Sequence, residues 1–231
     1  MLENKVAYIT GGTKGIGYGI AKMLLEQGVK VAISGRNLDD AKAAAAKLGD
    51  DVLPLQSDVR NFDDEQAAVD AVVEKFGRLD VMVANAGVGK FAPVDELSSE
   101  DWNQMLETNL NGVFHSLKAS VEALKKSEGY YITIASLAGT NFFANGAAYN
   151  ASKFGVVGFT QATMIDLRKY NIKVTTIMPG SVATHFNNHT PNAEDAWKIQ
   201  PEDIGQLVVD LLNMNPRTLP SKIEVRPSQP K

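Results

Sequence analysis

Tyr149, Lys153 and Ser136 are the residues whose types and spacing point first to chemistry. On a helix, residues four apart share a face, so Tyr149 and Lys153 point the same way. A tyrosine ordinarily ionises near pH ~10, too high for proton transfer at neutral pH. An ammonium held beside it favours the phenolate and lowers that pKa. A nearby serine hydroxyl, here Ser136 thirteen positions upstream, can hold the carbonyl oxygen that the tyrosine protonates. Tyr-x-x-x-Lys by itself arises by chance in helices, so its meaning depends on what precedes it.

What precedes it reads as a nucleotide-binding N-terminus. Val6-Ala7-Tyr8-Ile9-Thr10 has the pattern of a buried strand, and Gly11-Gly12-Thr13-Lys14-Gly15-Ile16-Gly17 follows at once. Tyr18 to Gln27 then shows helical apolar spacing at Ile20, Met23 and Leu24, and stops at Gly28. Strand, glycine turn and helix is the context a dinucleotide fingerprint requires. Glycines allow a tight turn and close backbone approach to a pyrophosphate. Free amides and the dipole at the helix start favour its negative charge. The spacing is Gly-x-x-x-Gly-x-Gly rather than the common Gly-x-Gly-x-x-Gly.

The elements that must position these groups alternate along the chain. Short β-branched runs at 29–34, 52–56, 79–84, 130–135 and 172–178 are separated by amphipathic stretches at 38–48, 63–76, 99–126 and 149–170. Buried strands alternating with helices predict an α/β fold: one Rossmann-type, doubly wound parallel sheet with helices on both faces. Ligands of such sheets bind outside the carboxyl ends of the strands. Thr10, Ser136 and Pro179 all fall at predicted strand ends, so the landmarks converge on one edge. No linker or repeat divides the chain, and 1–231 is expected to be one dinucleotide-binding and catalytic domain.

Composition narrows the function classes. With 44% apolar residues in 231, the chain can bury a substantial core. A net charge of −4 gives no electrostatic case for nucleic acid. No apolar run approaches the ~18 residues of a membrane span. Met1-Leu2-Glu3-Asn4-Lys5 does not read as a signal peptide, which makes a cytoplasmic location the expectation. There is no cysteine, hence no disulfide, thiol nucleophile or Cys-based zinc site. His185 and His189 are four apart, but a third ligand is missing and Pro191 argues against a helix there, so no metal is expected.

Thr10-Gly11-x-x-x-Gly15-x-Gly17, Asn85-Ala86-Gly87, Asn109, Ser136, Tyr149, Lys153 and Pro179-Gly180 stand in the order and spacing of short-chain dehydrogenases/reductases. The chain resembles that family from about residue 4 to about residue 213. The resemblance implies a catalytic set of Ser136, Tyr149, Lys153 and Asn109. Ser136 would bond the substrate oxygen and Tyr149 would protonate it as nicotinamide delivers hydride. Lys153 would lower the tyrosine pKa and bond the nicotinamide ribose. Asn109 would hold a water beside Lys153 through its backbone carbonyl, with Asn111 as the nearby competitor. Tyr130, Tyr131 and Tyr170 are read as packing residues.

The same resemblance implies a cofactor site. Gly11, Thr13, Lys14, Gly15, Ile16 and Gly17 form its phosphate turn. Asp58 and Val59 face the adenine, Asn85, Ala86 and Gly87 pack against the cofactor, and Tyr149 and Lys153 reach the ribose. Pro179, Gly180, Val182 and Thr184 run along the carboxamide. Members preferring NAD usually carry an acid at the end of the second strand to accept from the 2′-hydroxyl. Here Gly35 holds that position and Arg36 follows. An arginine binds a 2′-phosphate through paired charge-assisted hydrogen bonds. Either Arg36 or Lys14 alone reads equally as a solvated surface charge, but together they favour NADP(H) over NAD(H).

His185, Phe186, Trp197 and Ile199 lie in the expected substrate loop, about 181–200, and Phe91, Phe142 and Phe143 are further candidate pocket walls. The ending Leu219 to Pro227 departs from the glycine-rich ending of many relatives, although Ser221–Val225 reads as a last strand. The resemblance implies an NADPH-dependent ketone, carbonyl or 3-oxoacyl reductase, or a reversible alcohol dehydrogenase, acting on a small molecule. The alternative is a catalytically silent NADP-binding sensor or scaffold on the same fold. Such proteins usually lose the tyrosine or lysine, and both are present here. Relatives dimerise through the two long helices. Val113, Phe114, Leu117, Val156, Phe159 and Met164 are candidates to extend that face in a homodimer or homotetramer, against the alternative that all of them face their own sheet, which periodicity alone does not exclude.

Overall fold

The computed structural model describes residues 2–49 and 51–229. The ends of the expected domain at Met1, Pro230 and Lys231, and Asp50 within it, lie outside the described residues. The strands are β1 (Val6–Thr10), β2 (Lys30–Gly35), β3 (Val52–Gln56), β4 (Val81–Ala84), β5 (Tyr130–Ile134), β6 (Lys173–Pro179) and β7 (Lys222–Val225). The helices are α1 (Gly15–Leu25), α2 (Leu38–Leu48), α3 (Phe62–Phe76), α4 (Ser99–Leu106), α5 (Gly112–Ser127), α6 (Ala147–Leu167) and α7 (Pro201–Asn213). The strands form one parallel sheet in the order β3-β2-β1-β4-β5-β6-β7. The order reverses between β1 and β4, which opens the crevice expected of a doubly wound sheet.

The alternation of strand side chains builds a core on each face of the sheet. Ala7 and Ile9 of β1 face one layer with Ile20 and Leu24 of α1 and Ile204 and Val208 of α7. Val6 and Tyr8 face the other layer, with Val69 and Val72 of α3, Val113 of α5 and Val156 of α6. Because both faces are covered, strands such as β1, β4 and β5 are buried along their whole length. In sequence they read as continuous apolar runs rather than alternating ones.

Three elements differ from expectation. The first helix starts at Gly15, not Tyr18, because Lys14 is extended and the turn closes directly into the helix. The stretch 99–126 is divided by a π turn at Glu107–Asn111, which widens the helix around Asn109. The stretch 149–170 starts earlier, at Ala147, and gives way to a 3₁₀ turn at Arg168–Tyr170 closed by Asn171 in the left-handed region. Helix α7 packs closely on α1, and glycines set that approach. A Cβ on Gly19 would lie 2.5 Å from the Pro201 backbone, and one on Gly205 would lie 2.6 Å from Gly19 O.

Val113, Leu117, Val156 and Met164 are buried in the chain's own core, correcting their expected place on an outer face. The large apolar side chains that α5 and α6 expose are Phe114, Phe154 and Ile165. Among the described residues, no helix is long and apolar enough to cross a membrane.

Candidate active site

The strand ends bring the three reactive groups together. Tyr149 and Lys153 lie one turn apart on α6, which packs against β6 and the turn Leu137–Gly139 that follows β5. Lys153 is buried, and its Nζ donates to Ile134 O at 2.9 Å and lies 5.8 Å from the Tyr149 ring centroid. Ser136 stands two residues beyond the end of β5. Its Oγ accepts from Ala138 N at 3.1 Å and reaches Pro179 O, at the end of β6, at 3.5 Å.

The electrostatics modify the expectation from spacing alone. Burial pushes the Tyr149 phenol up, and its contact with Ser136 pulls weakly the other way. Burial also lowers the Lys153 ammonium from 10.5 to about 8. Desolvation disfavours the charged form of each group, so both respond first to the dry wall of the cleft. Tyr149 is therefore held as the neutral phenol, the form that can give a proton.

Asn109 sits fully buried in the π turn. Its Oδ1 accepts from Val88 N at 2.8 Å, while Nδ2 donates to Val88 O at 2.9 Å and to Ser152 Oγ at 3.1 Å. Ser152 in turn donates to Tyr149 O at 2.8 Å. A Cβ on Gly87 would lie 3.3 Å from Asn109 Oδ1 and 3.7 Å from Lys153 Nζ, so these three residues meet. Asn111 instead turns outward to Glu107 at 2.9 Å. This separates the two candidate asparagines.

The other predicted residues line a cleft of about 700 Å³ that takes in Arg36 and Asp58 beyond the ends of β2 and β3, Thr184 beside Gly15, and Tyr149 on α6. Gly11, Thr13, Lys14, Gly15, Ile16, Val59, Asn85, Ala86, Gly87, Pro179, Gly180 and Val182 are among its walls. Gly17 lies just behind. Its missing Cβ would strike Asn85 Nδ2 at 2.5 Å and Gly11 O at 2.6 Å. Asn85 is an architectural tie, donating to Thr10 O at 2.9 Å and Gly11 O at 3.1 Å. Among the described residues no side chain caps α1 and no acid stands in its first turn; α5 and α6 share this, but of the three only α1 has its opening residues, Gly15 and Ile16, on the cleft. The first amides of α1 are thus left for an anion.

Just beyond β2, Arg36 is exposed beside the cleft. A Cβ on Gly35 would lie 2.8 Å from Thr13 Cγ2, so Thr13 packs directly against this position. Asp58 is held by Arg60, whose Nε donates at 2.9 Å and Nη2 at 2.5 Å, and this pairing lowers its pKa. The sequence reading missed Arg60. Its signal was the arginine two positions after the acid, close enough to fold back on it.

The aromatic candidates divide. Phe91 packs edge-on to Tyr149 with centroids 5.5 Å apart, Phe186 lies 5.6 Å from Tyr149, and Phe143 lies 5.7 Å from Phe91. Phe142 is 85% exposed and walls nothing. Ile199 is buried in the sheet's own core and pairs with Val182, so it belongs to the scaffold rather than the lid. Trp197 is half-buried beneath Lys198 and is not part of the cleft lining. His185 lines the cleft, and His189 bonds Asp195 at 2.6 Å. Among the described residues no cluster could hold a metal ion. Tyr130 bonds Thr175, Tyr131 bonds Val113 O, and Tyr170 lies under Lys125, all away from the cleft.

The fold and cleft define a doubly wound α/β protein with one extended site across the strand ends. A family model described as short chain dehydrogenase matches residues 5–195. The chain belongs to that oxidoreductase family. It is 40% identical over 192 residues to trans-4-hydroxycyclohexanecarboxylate dehydrogenase of Sinomonas cyclohexanicum, covering 79% of this chain and 74% of that protein. The fold matches an alcohol dehydrogenase from the archaeon Thermococcus sibiricus, complexed with 5-hydroxy-NADP, with TM-score 0.91 and 29% identity over 98% of this chain and 99% of that one. It also matches a 3-ketoacyl-(acyl-carrier-protein) reductase of Brucella melitensis, complexed with NADH, with TM-score 0.90 and 28% identity over 99% of both chains.

Proposed function

We propose that this chain is an NADP(H)-dependent oxidoreductase that interconverts a carbonyl and a secondary alcohol through Ser136, Tyr149 and Lys153. The observation that carries the reading is the buried Lys153 ammonium one helical turn from Tyr149, with Ser136 in contact with the same phenol. The bound nicotinamide supplies or accepts the hydride. Ser136 donates a hydrogen bond to the substrate oxygen and holds it at Tyr149. Tyr149, kept as the neutral phenol by burial, gives its proton to that oxygen as negative charge develops there. The phenolate left behind is stabilised by Lys153 across a dry wall where charge interactions are strong. Asn109 fixes the loop after β4 against α6 and holds the geometry around Lys153.

The cleft suits a dinucleotide. The uncapped α1 N-terminus supports the pyrophosphate, and Lys14 and Arg36 offer cations at the adenosine end. No acid stands at position 35, which supports NADP(H) over NAD(H). The exposed faces of α5 and α6 support a homodimer.

NADPH oxidation across a panel of ketones, 3-oxo esters, quinones and 4-oxocyclohexanecarboxylate is the direct test. Consumption with at least one carbonyl substrate, lost in Tyr149→Phe, is expected. NADPH binding without turnover on any of them would favour the alternative of a silent sensor or scaffold.

A further inference from the structure

One buried charge is unused by the chemistry at Tyr149. The apolar stripe of α3 runs through Ala68, Val69 and Val72, and Glu65 stands on the same stripe, fully buried. A carboxylate there costs desolvation that an aliphatic side chain would not. Three hydroxyls offset the cost. Ser57 donates to Oε1 at 2.5 Å, Ser116 donates to Oε2 at 2.8 Å, and Tyr8 donates to Oε1 at 3.1 Å. The Tyr8 oxygen also lies 2.9 Å from Ser34 Oγ. Burial still pushes the Glu65 carboxyl up, against the pull of these bonds.

The partners share a position. Ser34 immediately precedes Gly35-Arg36, and Ser57 immediately precedes Asp58-Val59. Ser57 N donates to Gly35 O at 3.0 Å, tying the two strand ends together. Ser116 belongs to α5, whose Gly112 would meet Val59 Cγ2 at 2.6 Å if it carried a Cβ, and whose His115 bonds Val59 O at 2.9 Å. Both walls of the adenosine end of the cleft, and the helix behind one of them, therefore bear on one carboxylate. A shared polar hub of this kind fixes relative position more sharply than packing of interchangeable apolar groups.

We propose that Glu65 is a positioning residue for the adenosine end of the cofactor cleft, setting through its three hydroxyl partners the spacing between Gly35-Arg36 and Asp58-Val59. It touches neither cofactor nor substrate. The idea rests on the dinucleotide reading above, and on NADP(H) only for the choice of probe.

The test is calorimetric binding of two cofactor fragments, adenosine 2′,5′-bisphosphate and reduced nicotinamide mononucleotide. Glu65→Leu removes the acceptor, whereas Glu65→Gln keeps the shape and can still bond the hydroxyls. Glu65→Leu should weaken the bisphosphate about tenfold, and Glu65→Gln by no more than about threefold. Both should leave the mononucleotide unchanged. Bisphosphate binding within about twofold of the parent in Glu65→Leu, or an equal loss of both fragments, would overturn the proposal. Should Glu65→Leu fail to fold, Tyr8→Phe decides. It keeps the buried ring, and it should weaken the bisphosphate severalfold without touching the mononucleotide, while an unchanged bisphosphate affinity would overturn the idea. If the parent binds adenosine diphosphate but not the bisphosphate, the NADP(H) preference fails, and the same comparison made with adenosine diphosphate judges Glu65 separately.

Discussion

Tyr149 and Lys153 show how burial, rather than proximity alone, sets the state of a reactive pair. The phenol is pushed up, so its role begins from the protonated form. Tyr149→Phe keeps the ring against Phe91 and Phe186 but removes the proton. It should lower turnover by ~10²–10⁴-fold with NADPH affinity nearly intact. Steady-state kinetics within a few-fold of the parent would remove Tyr149 from the mechanism. Lys153 makes a separate prediction about stability. Its folded pKa of about 8 lies below its ordinary 10.5. Below pH 8 the group is charged in both states, so the cost of burying the charge is fully present. Between 8 and 10.5 the folded state releases its proton first, and the cost is relieved. Lys153→Met should therefore be more stable than the parent at pH 7, by at most roughly 3 kcal/mol. The lost bond to Ile134 O reduces the gain, which should vanish as the pH approaches 10.5. Denaturant titrations at pH 7 and pH 10 measure this, and a difference independent of pH would contradict it.

At the level of elements, the proposed choice of NADP(H) rests on the β2 end and the α1 N-terminus together. With Arg36 and Lys14 beside the cleft and no acid at position 35, NADPH should raise the melting temperature more than NADH at equal concentration. Equal shifts, or a larger one with NADH, would reverse the assignment. Much of this architecture was legible in the sequence. Buried parallel strands give continuous β-branched runs, so periodicity located the sheet, whereas the candidate site rested on the Tyr149-x-x-x-Lys153 spacing and the family resemblance. What stayed hidden depended on through-space partners. The π turn at Glu107–Asn111 leaves no signature beyond an asparagine within a helix. Val113 and Leu117 share a helical stripe with the sheet, and spacing cannot say which neighbour covers it. Burial around Tyr149 and Lys153 comes from loops distant in sequence, so the direction of their pKa shifts required the fold.

For the whole molecule, the exposed apolar surface bears on assembly. Phe154 and Ile165 lie about three turns apart on α6, hence on one side of it, and Phe114 of α5 packs edge-on to Phe159 on another side of the same helix. Light scattering at micromolar concentration should report at least a dimer, and a monomer would end that proposal. In a two-fold interface each patch meets its copy, so Ile165→Glu should shift the protein toward monomer through like-charge repulsion. The Gly19–Gly205 crossing has a different reach, into the order in which the chain is made. Helix α1, which opens the phosphate turn, is covered by a helix that begins only at Pro201. Strand β1 likewise waits for β4 before its second neighbour exists. A nascent chain leaving the ribosome must therefore carry Ile20 and Leu24 without their α7 partners until synthesis has passed Pro201. Translation that stalls before Pro201 leaves the glycine turn and α1 packed on the sheet from one side only, with the face that α7 covers still open.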